Sequence, residues 1–163
     1  MWEKCEEVEK MWREYLLLVG ENVNSTNKKY DSWYFCDNEE SANDLAELTK
    51  KGIKRGTTSL YFLYEIENEK LPKVNEYNLI TDWYGNPKCI IKTKNVTILP
   101  FKDVDDEFAA IEGEGDKSLE YWRKVHIEFF SKELNRLNLK FTENMLVVFE
   151  EFEVVYRDVE SSS

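Results

Sequence analysis

The chain of 163 residues carries 33 acidic against 22 basic side chains, a formal net charge of −11. That length fits one domain, and that charge repels polyanions wherever the summed field dominates, so DNA and long nucleic acids in general are disfavoured as partners. No apolar run approaches a membrane span, and Met1-Trp2-Glu3-Lys4-Cys5-Glu6-Glu7 lacks the basic-then-apolar pattern of a signal peptide.

Cys5, Cys36 and Cys89 contain no C-x-x-C pair and leave an odd thiol, which argues against a disulfide framework or a zinc knuckle. A reduced, cytoplasmic protein is expected. In chain order, Cys5, Val8, Trp12, Tyr15, Leu16 and Val19 recur at three- and four-residue steps and predict an amphipathic helix ending near Gly20. Together with the polar loop Glu21 to Asp31 this helix makes an N-terminal unit, residues 1–32, packed on the domain. Trp12 and Leu16 to Leu18 can cover that domain or pair two copies, so a monomer or a homodimer is expected. Trp33-Tyr34-Phe35-Cys36 then brings an aromatic cluster.

A second helix follows, with Ser41 and Asp44 as a capping pair, Ala42, Leu45, Ala46 and Leu48 on its apolar face, and Gly52 as its stop. This places Lys54 just beyond a helix end. Tyr77 to Trp83, Cys89 to Thr93 and Val96 to Leu99 read as strands of a meander, with Tyr84-Gly85-Asn86-Pro87 as a turn. Ser118 to Leu139 is helical, with Leu119, Trp122, Val125, Phe129 and Leu134 or Leu137 inward. Met145 to Tyr156 is a long strand, and the tail, residues 158–163, is expected to fray. Strands interrupted by helices, without the regular βαβ alternation, predict an α+β fold built on a small mixed β-barrel with flanking helices.

Three groups of residues carry chemistry. In Gly52-Ile53-Lys54-Arg55-Gly56-Thr57 a lysine precedes a threonine by three positions, which can set an amine, a base when neutral, beside a hydroxyl nucleophile. A surface lysine near a turn threonine is the plain alternative. In Ile111-Glu112-Gly113-Glu114-Gly115-Asp116 three carboxylates alternate with glycines. The calcium-loop pattern is absent, so a single functional carboxylate is expected, with no metal and no cofactor. Asp116 or Ser118 serves as a helix cap, an explanation that does not extend to Glu112. Arg123 and His126 stand one turn apart beside Trp122 and can reach one ligand, or can simply pack and pair locally. Trp33, Tyr34, Tyr61, Trp83 and Tyr84 are core residues by default, although one or two can stack on a base.

Taken together, Trp33-Tyr34-Phe35, Gly52 to Ser59, Leu71-Pro72-Lys73-Val74, Pro87 to Ile91, Pro100-Phe101, Glu112-Gly113-Glu114-Gly115, Trp122-Arg123-x-x-His126 and Phe129-Phe130 resemble the ASCH domain family, relatives of the PUA-like barrels. The resemblance spans residues 33–157, and eight blocks in family order carry it. It implies a compact barrel whose cleft, lined by the G-x-K-x-x-T segment, suits a nucleoside or RNA. Some small bacterial members remove the acetyl group of acetylcytidine with the motif lysine, the motif threonine and a later glutamate. By position these are Lys54, Thr57 and Glu112, with Arg55, Gly56, Thr58, Arg123 and His126 as substrate-binding neighbours. Another member behaves as a ribonuclease and others as RNA-binding modules, so fold leaves these alternatives open. The helix before Trp33 is a departure from the smallest deacetylating members.

Overall fold

The computed structural model describes residues 2–157. The tail expected to fray and the side chain of Cys5 lie outside the described residues. Helix α1 (Trp2–Leu18) leads to strand β1 (Tyr30–Trp33), helix α2 (Glu39–Lys50), strand β2 (Gly56–Leu60) and the short helix α3 (Tyr61–Ile66). Strands β3 (Tyr77–Thr81) and β4 (Pro87–Pro100), a 3-10 turn at Phe101–Asp103, helices α4 (Asp106–Glu112) and α5 (Leu119–Asn135), and strand β5 (Leu146–Arg157) complete the order. No helix among the described residues is long and apolar enough to cross a membrane.

The fold is α+β, as expected, but the sheet is not closed into a barrel. Five strands run in the order β1-β3-β4-β5-β2, all antiparallel except the β1–β3 pair. The reason lies in the register. Long strands β4 and β5 form a ribbon, and β3 pairs with one half of it, Pro87 to Lys92 of β4. Strand β2 pairs with Val147 to Glu151 of β5, which lie opposite Leu99 to Asn95 at the other half. The outer strands β1 and β2 therefore sit at opposite ends of the ribbon and leave two edges. Register shifts at Ile90/Ile91 and Thr93/Asn95 bend β4, as bulges do. The sequence reads this one bent strand as two.

Alternation distributes the core over both faces of the sheet. Leu79 and Ile90 meet Val8, Met11, Trp12, Tyr15 and Leu16 of α1. Their neighbours Ile80, Cys89 and Ile91 pack with Ala46 of α2, Phe35 and Phe152. A third cluster joins Trp122, Phe130 and Leu134 of α5 to Leu60, Phe101 and Val147. The buried stripe of α5 is Trp122, His126, Phe130 and Leu134, at strict four-residue steps. That phase differs from the expected one: Val125 and Phe129 are half-buried at the edge of the stripe, and Leu137 is exposed. Val19 is likewise exposed, beyond the end of α1.

Local chemistry fixes the helix ends around the site. Asn38, rather than the Ser41–Asp44 pair, caps α2 by accepting the Ser41 N–H at 2.9 Å. Gly52 follows the helix with φ of 78° and turns the chain away. Asp105 caps α4 by accepting the N–H groups of Glu107 and Phe108, and Gly113 ends it in the left-handed region at φ 67°. A Cβ at Gly113 would lie 2.1 Å from the Ile53 carbonyl oxygen, so this turn needs glycine for its conformation and for its closeness to the Lys54 segment. Gly113→Ala is therefore expected to cost roughly 2–4 kcal/mol, strain and overpacking together. Urea unfolding measures it, and a loss below about 0.5 kcal/mol would contradict the packing described.

Candidate functional site

Helix α2, strand β2 and the α4–α5 turn meet around the Lys54 side chain. Past Gly52, the N–H groups of Ile53 and Lys54 both donate to the Leu48 carbonyl, at 2.9 and 3.0 Å. Arg55 then binds through its backbone on both sides: its N–H donates to Ile111 at 2.8 Å, and its carbonyl accepts from Phe152 at 2.9 Å. The lysine is thereby driven inward and is 1% exposed. A small cavity of about 80 Å³ opens beside it, walled by Phe35, Leu45, Val125 and Phe129 and floored by Thr57, Thr58, Glu112, Glu114 and His126.

An ammonium has three protons to donate, and Lys54 has three acceptors. Nζ lies 2.7 Å from the Gly56 carbonyl, 2.8 Å from Glu114 Oε2 and 3.5 Å from Glu112 Oε2. The Phe35 ring lies 5.0 Å from the same nitrogen. Glu112 also accepts the Thr58 hydroxyl through Oε1 and faces His126 Nε2 at 3.2 Å through Oε2. The other imidazole nitrogen, Nδ1, lies 2.8 Å from the Trp122 carbonyl, which can only accept. A doubly protonated ring satisfies both contacts, and it stacks on the Trp122 indole at 4.1 Å.

Proton affinities follow from this arrangement. Burial alone drives Lys54 towards neutrality, but Glu114 and Glu112 outweigh it and raise its pKa above the ordinary lysine value. Burial likewise opposes the charge on Glu112, yet His126 and Lys54 hold its carboxyl well below the usual range. Glu114 moves the other way: burial and the ionised Glu112 prevail over Lys54 and raise it. Burial pushes His126 down, and Glu112 more than restores it, so the imidazole stays protonated above its ordinary pH. One carboxylate is thus held ionised and its neighbour is biased towards the acid, two adjacent groups with divided roles.

Glu112, Glu114 and His126 place one ligand atom each within 4.8 Å of one another, a spacing that suits a metal ion. Lys54 already sits against both carboxylates, so an entering cation must displace the ammonium. A larger open groove of about 750 Å³ runs along β1, lined by residues including Glu21, Lys28, Tyr30, Asn75 and Tyr77. Its Lys28–Glu21 pair, 2.7 Å apart, is solvent-screened.

Of the residues singled out in the sequence, Lys54, Thr57, Thr58, Glu112 and His126 border one cavity, and Gly56 supplies its carbonyl to Lys54. Thr57 is not among the partners of the ammonium. Arg55 is exposed and joins the site through its backbone. Arg123 turns elsewhere and donates to the Lys102 carbonyl at 3.3 Å. Glu114 was not singled out: a left-handed Gly113 folds it back beside Glu112, and the Glu-Gly-Glu spacing was the available signal. The aromatic walls come from Phe35 and Phe129, whereas Tyr34 and Trp83 pair at 4.9 Å outside the cavity lining.

An open, helix-flanked α+β sheet with a buried lysine between a G-x-K-x-x-T segment and a Glu-Gly-Glu turn defines a class. The ASCH domain family model matches residues 31–156, and the chain belongs to that family. It is similar to the crystal structure of an ASCH domain from Lactobacillus crispatus JV V101, with 39% identity and a TM-score of 0.87 over 93% of this chain and 96% of that one. It is also similar to protein EF3133 from Enterococcus faecalis V583, with 34% identity and a TM-score of 0.84 over 97% and 93% of the two chains. No curated protein matches.

The sole histidine gives this electrostatic network a clean reporter. Because the folded-state pKa of His126 is raised, its contribution to stability is full below about pH 6.5 and fades as pH rises through the folded value. Glu112, depressed, contributes above about pH 4.3 and loses its contribution as pH falls through its lower folded value. Proton NMR of His126 is expected to titrate above 6.5 in the native chain. In Glu112→Gln the midpoint is expected to fall, because burial then outweighs the remaining carboxylate. An unchanged midpoint would refute the assignment of Glu112 as the principal partner.

Proposed function

We propose that this chain binds a nucleoside-like ligand in the Lys54 cleft and hydrolyses the exocyclic amide of acetylcytidine. The observation that carries the reading is the buried lysine clamped by two carboxylates of opposite protonation tendency, beside a threonine on an aromatic-walled cavity. About 80 Å³ is well below the ~300–1,000 Å³ of a pocket for a whole drug-sized ligand. It suits an acyl amide entering first, with the rest of the ligand outside.

The proton affinities redistribute the roles implied by family resemblance. As an ammonium, Lys54 stabilises negative charge developing on the acyl oxygen once that oxygen replaces its longest partner, Glu112 Oε2 at 3.5 Å, which is donor chemistry. The base is then the Glu112–Glu114 pair. Thr57 Oγ adds to the acetyl carbon and its proton passes to the pair. The C–N bond breaks as that proton reaches the leaving amine, giving cytidine and an acetyl-threonine ester. Water then adds to the ester with the same pair as base, and acetate leaves as the threonine hydroxyl re-forms. The ribonuclease alternative has less support, since both His126 nitrogens are engaged inside the protein.

Release of cytidine from acetylcytidine, followed by chromatography, tests the reading. Lys54→Ala and Thr57→Ala are each expected to lower turnover by at least about 100-fold, with folding checked by circular dichroism. Thr58→Val serves as the discriminating control, because Thr58 is the hydroxyl that contacts Glu112. Full loss in Thr58→Val with activity kept in Thr57→Ala would reassign the nucleophile. No turnover by the folded native protein would remove the hydrolase reading.

A further inference from the structure

A second cavity adjoins the one beside Lys54. This chamber of about 150 Å³ shares Thr58 and Phe129 with the first and continues over Ser59, Tyr64, Glu67, Glu69 and Glu133. The two spaces are therefore neighbours across one strand and one ring. Ser59 Oγ and Tyr64 OH lie 2.7 Å apart, and either can be the donor. Whichever donates, the other hydroxyl keeps its proton for a ligand. Glu133, half-buried on α5, lines this chamber and has no hydrogen-bond partner among the described residues, so its carboxyl is free to meet a ligand. Burial first, and then Glu67, push its pKa up to about 7.

We propose that this chamber is a pentose subsite, in which the sugar diol of a nucleoside hydrogen-bonds to Glu133 and the Ser59–Tyr64 pair while Glu67 and Glu69 exclude phosphate. The inference rests on the nucleoside reading above and deepens it. A diol presents donors and acceptors together, which matches a carboxyl beside a hydroxyl pair with one free proton. A phosphate presents acceptors and negative charge to three acidic side chains and is repelled. The chain charge of −11 acts in the same direction. Such a subsite narrows the ligand class to free nucleosides over their phosphates.

Calorimetric titration of the full chain with cytosine, cytidine and cytidine 5′-monophosphate separates the possibilities. Cytidine is expected to bind at least about 10-fold tighter than either of the others, roughly one or two ligand hydrogen bonds. Tyr64→Phe and Glu133→Gln are expected to remove the advantage of cytidine over cytosine and leave cytosine affinity unchanged. Glu67→Gln is expected to narrow the gap between cytidine and its monophosphate. Equal affinity for cytosine and cytidine, with both lost in Lys54→Ala, would overturn the pentose subsite and leave the nucleoside reading intact. Monophosphate binding as tight as cytidine would overturn the exclusion. Absence of binding by all three would overturn the nucleoside reading and this subsite with it.

Discussion

Burial of the Lys54 ammonium is the constraint on which the rest of the site depends. A lone charge at 1% exposure is untenable in a protein interior, so the fold must bring acceptors to it from three directions. One is the start of strand β2, through the Gly56 carbonyl, and two are the ends of the Glu-Gly-Glu turn. Two carboxylates against one ammonium then overshoot, and His126 restores the balance from α5. Each member is explained by the one before it, and none is explained by packing alone.

The surrounding backbone is tied down from several elements as well. The Arg55–Ile111 hydrogen bond ties the lysine segment to α4, and Phe152 N–H ties it to β5. Gly56 admits the rings and methyls of Phe149 and Ile111, which a Cβ would meet at 2.8 and 2.9 Å. The short helix α4, only seven residues, needs the Asp105 cap at one end and left-handed Gly113 at the other to deliver Glu112 and Glu114 to the same nitrogen. Such geometry favours a site in which the donors are oriented before the ligand arrives.

Much of this was legible in the sequence, and the gaps have physical causes. Periodicity exposed α1, α2 and α5 because each buries one stripe, and β-branched runs exposed β3, β4 and β5. Strand β2 escaped because Gly-Thr-Thr-Ser-Leu alternates by burial, not by hydrophobicity: its inward positions are a glycine, a threonine and a leucine. Helix α3 escaped because none of its residues is fully buried. The phase of α5 was misread because its innermost stripe includes a histidine, which occupies a core position only because Glu112 and the Trp122 carbonyl satisfy it. Lys54, Thr57 and Glu112 were named from spacing and resemblance. The contact between Lys54 and Glu112 depended on pairing across 58 residues of chain, which no local pattern encodes. The barrel expectation failed for the same reason, since closure is a question of register along β4 and β5.

The placement of the site at strand β2 has a further consequence for chemistry. An outer strand leaves one side unpaired, and residues of α2 and α5 line the cavity beside Thr57 and Thr58. On the proposed reading, the buried cluster sets what is bound. The positive charge of the site is internal and already neutralised, whereas the outer surface is acidic. Under the proposed function, a ligand gains little from long-range attraction and instead offers a carbonyl or amide that the ammonium and the carboxylates can share. Selection by a short-range, uncharged head group is the behaviour that this arrangement of charge favours.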